Sequence, residues 1–262
     1  MTENQVAERA TDDVGTGEPA LLFLPGWCGD RSVFDGLTER TGRHRRALAV
    51  DLRGHGGHPH DTADFTTADV VSDVVEQIER AGIGQVVLVA LSHAGWVAIE
   101  VRRRLGPDRV RGLVLLDWMV LGPPPGFTDA LAGLQQPASW EQVRAGLFGM
   151  WTTGVDVPAL HDYVTGMGRY GFAHWRRAGR EIAAAFAAAP SPLAKLDRLE
   201  VPCPTLHLYA QPADDAVLEA QREYGARHPW FRAHRLPASS HFPMFEVPDE
   251  MSRVIEGFAR DL

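Results

Sequence analysis

Ser92, Asp117 and His241 each stand just after a strand-like run, and together they supply a hydroxyl, a carboxylate and an imidazole. Ser92 follows Val86-Val87-Leu88-Val89-Ala90-Leu91 and precedes a helical stretch, Trp96 to Val101. Small residues two before and two after it, Ala90 and Ala94, allow a turn tight enough to push the hydroxyl out at the end of a sheet. Such turns usually carry glycine at both flanks, so the bland alternative is a serine capping a helix after a buried strand. Asp117 closes the run Val110 to Leu116, and His241 sits in Ser239-Ser240-His241-Phe242-Pro243, just before the last helical segment. An imidazole oriented by a carboxylate is a general base that can activate the serine or take a proton from a bound molecule. Taken singly, His241 could be a surface histidine and Asp117 a turn residue. Asp214 or Asp215, after Tyr209-Ala210-Gln211-Pro212, is the rival acid. Asp117 is preferred because it abuts a buried strand, whereas that pair reads as a solvated helix start favoured by the dipole.

These three residues can meet only if the elements between them form one sheet. Ala20 to Leu24 is a continuous apolar run stopped by Pro25-Gly26, as in a strand buried on both faces. Trp27-Cys28-Gly29-Asp30 is a loop, with Asp30 a helix cap and Val33, Phe34 and Leu37 on one face of the helix it starts. Ala47 to Val50 is the next strand, and it ends in the turn Asp51-Leu52-Arg53-Gly54-His55-Gly56-Gly57. A helix from about Thr67 carries Val70, Val71, Val74, Val75 and Ile78 and stops at Gly82. Residues 1–19 have room for one ragged hairpin at most. From Gly122 to about Pro192 the alternation breaks into helix-like segments containing Trp140, Trp151, Tyr163, Tyr170 and Trp175. It resumes with Pro204 to Tyr209, a helix from Asp215 to Ala226, the run Phe231 to Leu236 and a helix beginning near Pro248. The expectation is an α/β fold, a mostly parallel doubly wound sheet (1–121 and 193–262) with a helical cap inserted at 122–192.

Composition narrows the partners. With 262 residues, 45% of them hydrophobic, the chain can bury a sizeable core. A net charge of −8 with no basic block gives no electrostatic footprint for nucleic acid or an anionic membrane. No apolar run approaches spanning length and the start lacks a leader pattern, so a cytoplasmic protein is expected. Cys28 and Cys203 form no metal or CxxC pattern and are expected to be free thiols. His55, His58 and His60 lie in a turn without a matching acid elsewhere, and no metal site or bound cofactor is expected.

The order Ser92, Asp117, His241, with the Asp-x-Arg-Gly-His-Gly turn, is that of the α/β-hydrolase fold. Narrower motifs add to it: Pro25-Gly26-Trp27-Cys28, Ser92-His93-Ala94-Gly95-Trp96, Asp117-Trp118, Leu147-Phe148-Gly149-Met150-Trp151, Tyr170 to Trp175, His228-Pro229-Trp230-Phe231 and His241-Phe242-Pro243. From about Ala20 onward the chain resembles the cofactor-independent 3-hydroxy-4(1H)-quinolone 2,4-dioxygenases, which act on 2-methyl or longer 2-alkyl substrates. The resemblance implies a small aromatic heterocycle and dioxygen as reactants, and a monomer or homodimer. It makes His241 the base for the substrate's 3-hydroxyl, Asp117 its partner, and Ser92 a hydrogen-bonding group. It places the backbone N–H groups of Trp27 and His93 at the oxyanion-hole positions, Trp27 also against the substrate, and Trp151 on the cap side of the pocket. Packing is the alternative role for these tryptophans, and the one expected of Trp140 and Trp175.

Two positions depart from the methylquinolone pattern, which has histidine at Gly29 and before the serine, where this chain has Leu91. A glycine at 29 is expected to leave empty space and favour a bulkier 2-alkyl chain. Two other functions use the same fold: an esterase or carbon–carbon hydrolase running an acyl-enzyme through Ser92, Asp117 and His241, and a non-catalytic binding protein.

Overall fold

The computed structural model describes residues 11–58 and 64–262; His60 of the histidine-bearing turn and the first ten residues lie outside them. Seven strands, β1 (Thr11–Val14), β2 (Ala20–Leu24), β3 (Ala47–Val50), β4 (Val86–Leu91), β5 (Val110–Leu116), β6 (Thr205–Tyr209) and β7 (Phe231–Arg235), form one sheet. Their order is β1-β3-β2-β4-β5-β6-β7, parallel throughout except for β1. The run expected to make a ragged hairpin instead pairs Thr11–Val14 antiparallel with β3. Its Asp12 and Asp13 carried no apolar signal, because an edge strand needs burial on only one side.

Every residue of β2, β3, β4 and β6 is buried, as the unbroken apolar runs require of strands covered on both faces. The chain winds outward in opposite directions from β2 and β4, which lie side by side with Phe23 opposite Val89 and Leu24 opposite Ala90. That reversal brings the loop after β2 and the turn after β4 to one crevice at the carboxyl end of the sheet.

The helices cover both faces. After a 3-10 turn (Arg31–Phe34) capped by Asp30, α1 (Asp35–Thr41) buries Leu37, while α2 (Thr67–Arg80) starts from a Thr66/Asp69 capping box. α3 (Ala94–Leu105) follows Ser92 closely. Between β5 and β6 the chain forms α4 (Phe127–Leu134), α5 (Trp140–Thr152), α6 (Pro158–Met167), α7 (Phe172–Ala188) and the short α8 (Pro192–Leu196). The N–H of Leu193 donates to the carbonyl of Val120 at 3.2 Å, closing the neck of this excursion. α4 lies tight on α7 because Gly179 has no side chain; a Cβ there would stand 2.7 Å from the carbonyl oxygen of Leu131. α9 (Asp215–Arg227) and α10 (Pro248–Arg260) complete the core, the latter burying Met251, Ile255, Phe258 and Ala259. Among the described residues no helix is long and apolar enough to cross a membrane.

Candidate active site

Ser92 sits at the turn between β4 and α3 with φ +53°, a strained value for a side-chain-bearing residue. Its N–H donates to Leu116 on the neighbouring strand at 2.8 Å, and the flanking Ala90 and Ala94 are fully buried. Alanine is small enough for this turn. The glycine that matters is Gly95, where any Cβ would overlap the Trp118 ring. The helix-cap alternative does not hold, since the capping position falls to His93 and no side chain bonds there.

Asp117 is also left-handed, at φ +41°, and only 3% exposed. One carboxylate oxygen accepts from Nδ1 of His241 at 2.9 Å. The other accepts the backbone N–H of Ala210 at 2.7 Å and of Gln211 at 3.1 Å. These backbone donors fix the carboxylate, and the carboxylate sets the imidazole's tautomer: Nδ1 carries a proton toward Asp117 and Nε2 is the edge left for the cavity. The rival acids are elsewhere, Asp214 capping α9 through the Ala216 N–H and Asp215 paired with Arg235.

His241 is clamped from three directions. Its backbone N–H donates to the carbonyl of Trp151 at 2.9 Å, its ring stacks on the Trp151 indole with centroids 5.1 Å apart, and Phe242 meets it edge-on. Glu246 holds the preceding loop by accepting from Ser239 N, Ser240 N and Ser240 Oγ. Among the described residues no hydrogen bond joins Ser92 Oγ to His241, although both line the same cavity.

That cavity holds about 730 Å³ of empty space, part of it open to solvent, and its lining is mostly apolar. Ser92, His93, Trp27, Gly29, Trp151 and His241 all line it, with Asp117 directly behind His241. Leu131, Leu134, Leu147, Met167 and Ile182 of the cap make the remainder apolar. Trp175, expected to serve packing alone, also lines the cavity. Its place was legible in the spacing Trp175, Ala178, Ile182 on one face of α7. Trp140 is half-buried on the cap, packed at the edge of the core with the Arg144 guanidinium 4.8 Å from its ring, and does not line the cavity.

His93 contributes more than its backbone. Its Nδ1 accepts the indole N–H of Trp118 at 3.2 Å, which leaves the ring proton on Nε2. Burial, reinforced by the nearby His241, pushes its pKa down to about 3, so the ring is a neutral donor. His207 plays a matching part behind the site. Its Nε2 accepts the backbone N–H of Trp118 at 3.3 Å, its Nδ1 is bonded to Gln221 Oε1 at 2.6 Å, and burial lowers its pKa to about 4.

The loop after β2 is shaped by the turn after β3. Cys28 is left-handed, at φ +59°, and its N–H donates to His55 Nε2 at 3.1 Å, while His55 Nδ1 donates to the carbonyl of Arg53. Asp51 accepts from Arg31 and Gly57, and Gly56 must be glycine because a Cβ would overlap that carboxylate. The histidine turn is therefore a scaffold for the Trp27–Cys28 loop. The backbone N–H groups of Trp27 and His93 make no hydrogen bond among the described residues. Both cysteines are free and buried, and burial pushes the Cys203 thiol up to about 11 and that of Cys28 higher still.

Gly29 lines the cavity, yet the expected gap beside it is absent: a Cβ there would overlap the hydroxyl of Tyr163, reaching in from α6.

A seven-stranded sheet with a left-handed serine turn and a buried Asp–His pair in that chain order defines an α/β-hydrolase-fold enzyme, and the alpha/beta hydrolase family model matches residues 21–254. The chain is 32% identical over 243 residues to a 2-heptyl-3-hydroxy-4-quinolone dioxygenase, AqdC1, of Rhodococcus erythropolis, covering 93% of this chain and 87% of the relative. It is likewise 32% identical to a 1H-3-hydroxy-4-oxoquinoline 2,4-dioxygenase of Pseudomonas putida, over 92% and 91% of the two chains. An AqdC variant solved with its substrate, in work on ring cleavage of the Pseudomonas quinolone signal, superposes with a TM-score of 0.92 at 31% identity, covering 96% and 95%. The chain belongs to the 3-hydroxy-4-quinolone 2,4-dioxygenases of that fold family.

Proposed function

We propose that this chain cleaves the heterocyclic ring of a 2-alkyl-3-hydroxy-4(1H)-quinolone with dioxygen, giving an N-acylanthranilate and carbon monoxide. The observation that carries the reading is the buried Asp117–His241 pair, whose Nε2 edge is left for a predominantly apolar cavity. His241 takes the proton of the 3-hydroxyl, and Asp117 stabilises the resulting imidazolium. The substrate anion is electron-rich and is itself the reductant: dioxygen adds at C2, the terminal oxygen attacks C4, and the bridged peroxide collapses. Two carbon–carbon bonds to C3 break, C3 leaves as carbon monoxide, and both dioxygen atoms remain in the acylanthranilate. Neutral His93 Nε2–H and the backbone N–H groups of Trp27 and His93 are the donors for charge on the ring oxygens. Ser92 contributes a hydrogen bond.

The cap lining sets the substituent. Leu131, Leu134, Leu147, Met167 and Ile182 offer a continuous apolar surface suited to an alkyl chain longer than methyl. Mixing the protein with 2-methyl and 2-heptyl substrates, while following dioxygen uptake and carbon monoxide release together, tests both statements. Stoichiometric exchange of the two gases with a higher kcat/KM for the heptyl compound is expected. Cleavage of simple aryl esters without gas exchange would assign the site to hydrolysis.

A further inference from the structure

Tyr163 belongs to the cap, but its hydroxyl ends against the backbone of the loop after β2. It accepts the N–H of Asp30 at 3.2 Å and donates to the Asp30 carbonyl at 3.4 Å. Its ring packs on Phe242, next to His241, with centroids 5.3 Å apart, and on Phe245 at 5.6 Å. The hydroxyl lies where a side chain at position 29 would begin, so Gly29 and Tyr163 occupy one volume between them. A second tie runs parallel to it, since Arg169, just beyond α6, pairs with the Asp30 carboxylate and donates to Tyr170 Oη at 3.0 Å.

We propose that Tyr163 is a positioning residue for the dioxygenase reaction: seated in the notch left by Gly29, it fixes the loop Gly26–Asp30 and with it the Trp27 N–H that faces developing charge. Besides Tyr163 and Arg169, the loop is held by the turn bond from Gly29 N–H to Gly26 at 3.1 Å, by the Cys28 N–H to His55, and at Asp30 by the Ser32 and Val33 N–H groups. Tyr163 alone among these ties couples the Asp30 backbone to Phe242, next to the base. Burial holds its phenol well above the ordinary tyrosine range, so it stays a protonated donor and acceptor wherever His241 is active. The bulk that a side chain at 29 would supply from the core is supplied instead from the cap.

The inference rests on the ring-cleavage reading for its kinetic readout, and a double-mutant cycle gives it a second one. Gly29→Ala forces the Cβ onto the Tyr163 hydroxyl and should lower kcat about tenfold or more, and lower Tm. Tyr163→Phe keeps the ring contacts and deletes only the two bonds to Asp30; kcat should fall about fivefold, with KM for the quinolone within about twofold. In Gly29→Ala/Tyr163→Phe the overlap with the hydroxyl is gone and the Cβ meets ring carbon Cζ at 3.5 Å, while its 3.2 Å approach to the Gly26 carbonyl is common to both variants, so the second substitution should raise both kcat and Tm above those of Gly29→Ala alone. A double variant no better than Gly29→Ala, or a Tyr163→Phe enzyme with unchanged kcat or with the loss in KM, overturns the proposal. If the wild-type protein shows no dioxygen uptake, the functional reading fails on its own, and the Tm cycle still decides whether Gly29 and Tyr163 share one volume.

Discussion

The carboxyl end of the sheet and the cap above it are built by different physics. At the sheet end, Ser92 and Asp117 are held in left-handed conformations, Asp117 accepts three hydrogen bonds, and His241, whose imidazole it orients, is 9% exposed. In the cap, α5 has no fully buried residue, and its junction with the core consists largely of ring contacts plus a few bonds to backbone carbonyls, such as Gln211 Nε2 to Met150 and His241 N–H to Trp151. Strain and fixed donors define where a proton goes; apolar walls define what is held while it goes. Chemistry should therefore fail abruptly when the sheet end is altered, and substrate preference should drift when the apolar lining of the cap is.

Changing Asp117 to Asn is the strongest test of the first half. The imidazole loses its charge partner while most of the packing survives, so kcat should drop about 10² to 10³-fold with little change in KM. A KM effect of that size would move Asp117 from the chemistry to substrate binding. The cap counterpart is Leu147→Ala, a half-buried residue lining the cavity. Removing its contact with an alkyl chain costs about 1 kcal/mol, so kcat/KM for the 2-heptyl substrate should fall about fivefold through KM, with the 2-methyl substrate nearly unaffected. Equal losses on both substrates would remove Leu147 from the alkyl subsite.

A subtler asymmetry is in pH. His207 is neutral behind the sheet end with a pKa lowered to about 4, and His93 with one lowered to about 3. The unfolded chain binds those protons near pH 6.5, so stability is fully present above that value and is lost as pH falls toward 4 and below. For His207 the full loss is about 3 kcal/mol. Tm should decline between pH 6.5 and 4, and His207→Gln should flatten that decline; an unchanged slope would mean the acid sensitivity lies elsewhere.

The sheet was legible because buried parallel strands leave unbroken apolar runs, and Ser92, Asp117 and His241 were legible because each ends such a run or follows the last one. Asp117 could be preferred over Asp214 and Asp215 on that ground, together with the helix-start pattern of the pair. The supports were not legible. Glu246, His207 and His55 act on backbone N–H groups or on partners far away in sequence, and such pairings acquire meaning only once the loops have met. The cap was recognised as helical, but its inner faces read like any amphipathic helix, so Trp175 passed for packing. Gly29 passed for a gap because the residue that fills it, Tyr163, lies on another element.

The division of labour at the sheet end is tested most directly by comparing Ser92→Ala with His241→Ala in one assay of dioxygen uptake and carbon monoxide release. A base-driven ring cleavage predicts that Ser92→Ala keeps both gases in stoichiometric exchange at a rate reduced about tenfold, whereas His241→Ala falls by about 10³-fold or more. If the two variants lose activity equally and completely, Ser92 is an obligatory nucleophile and the Asp117–His241 pair serves to activate it rather than to deprotonate the substrate.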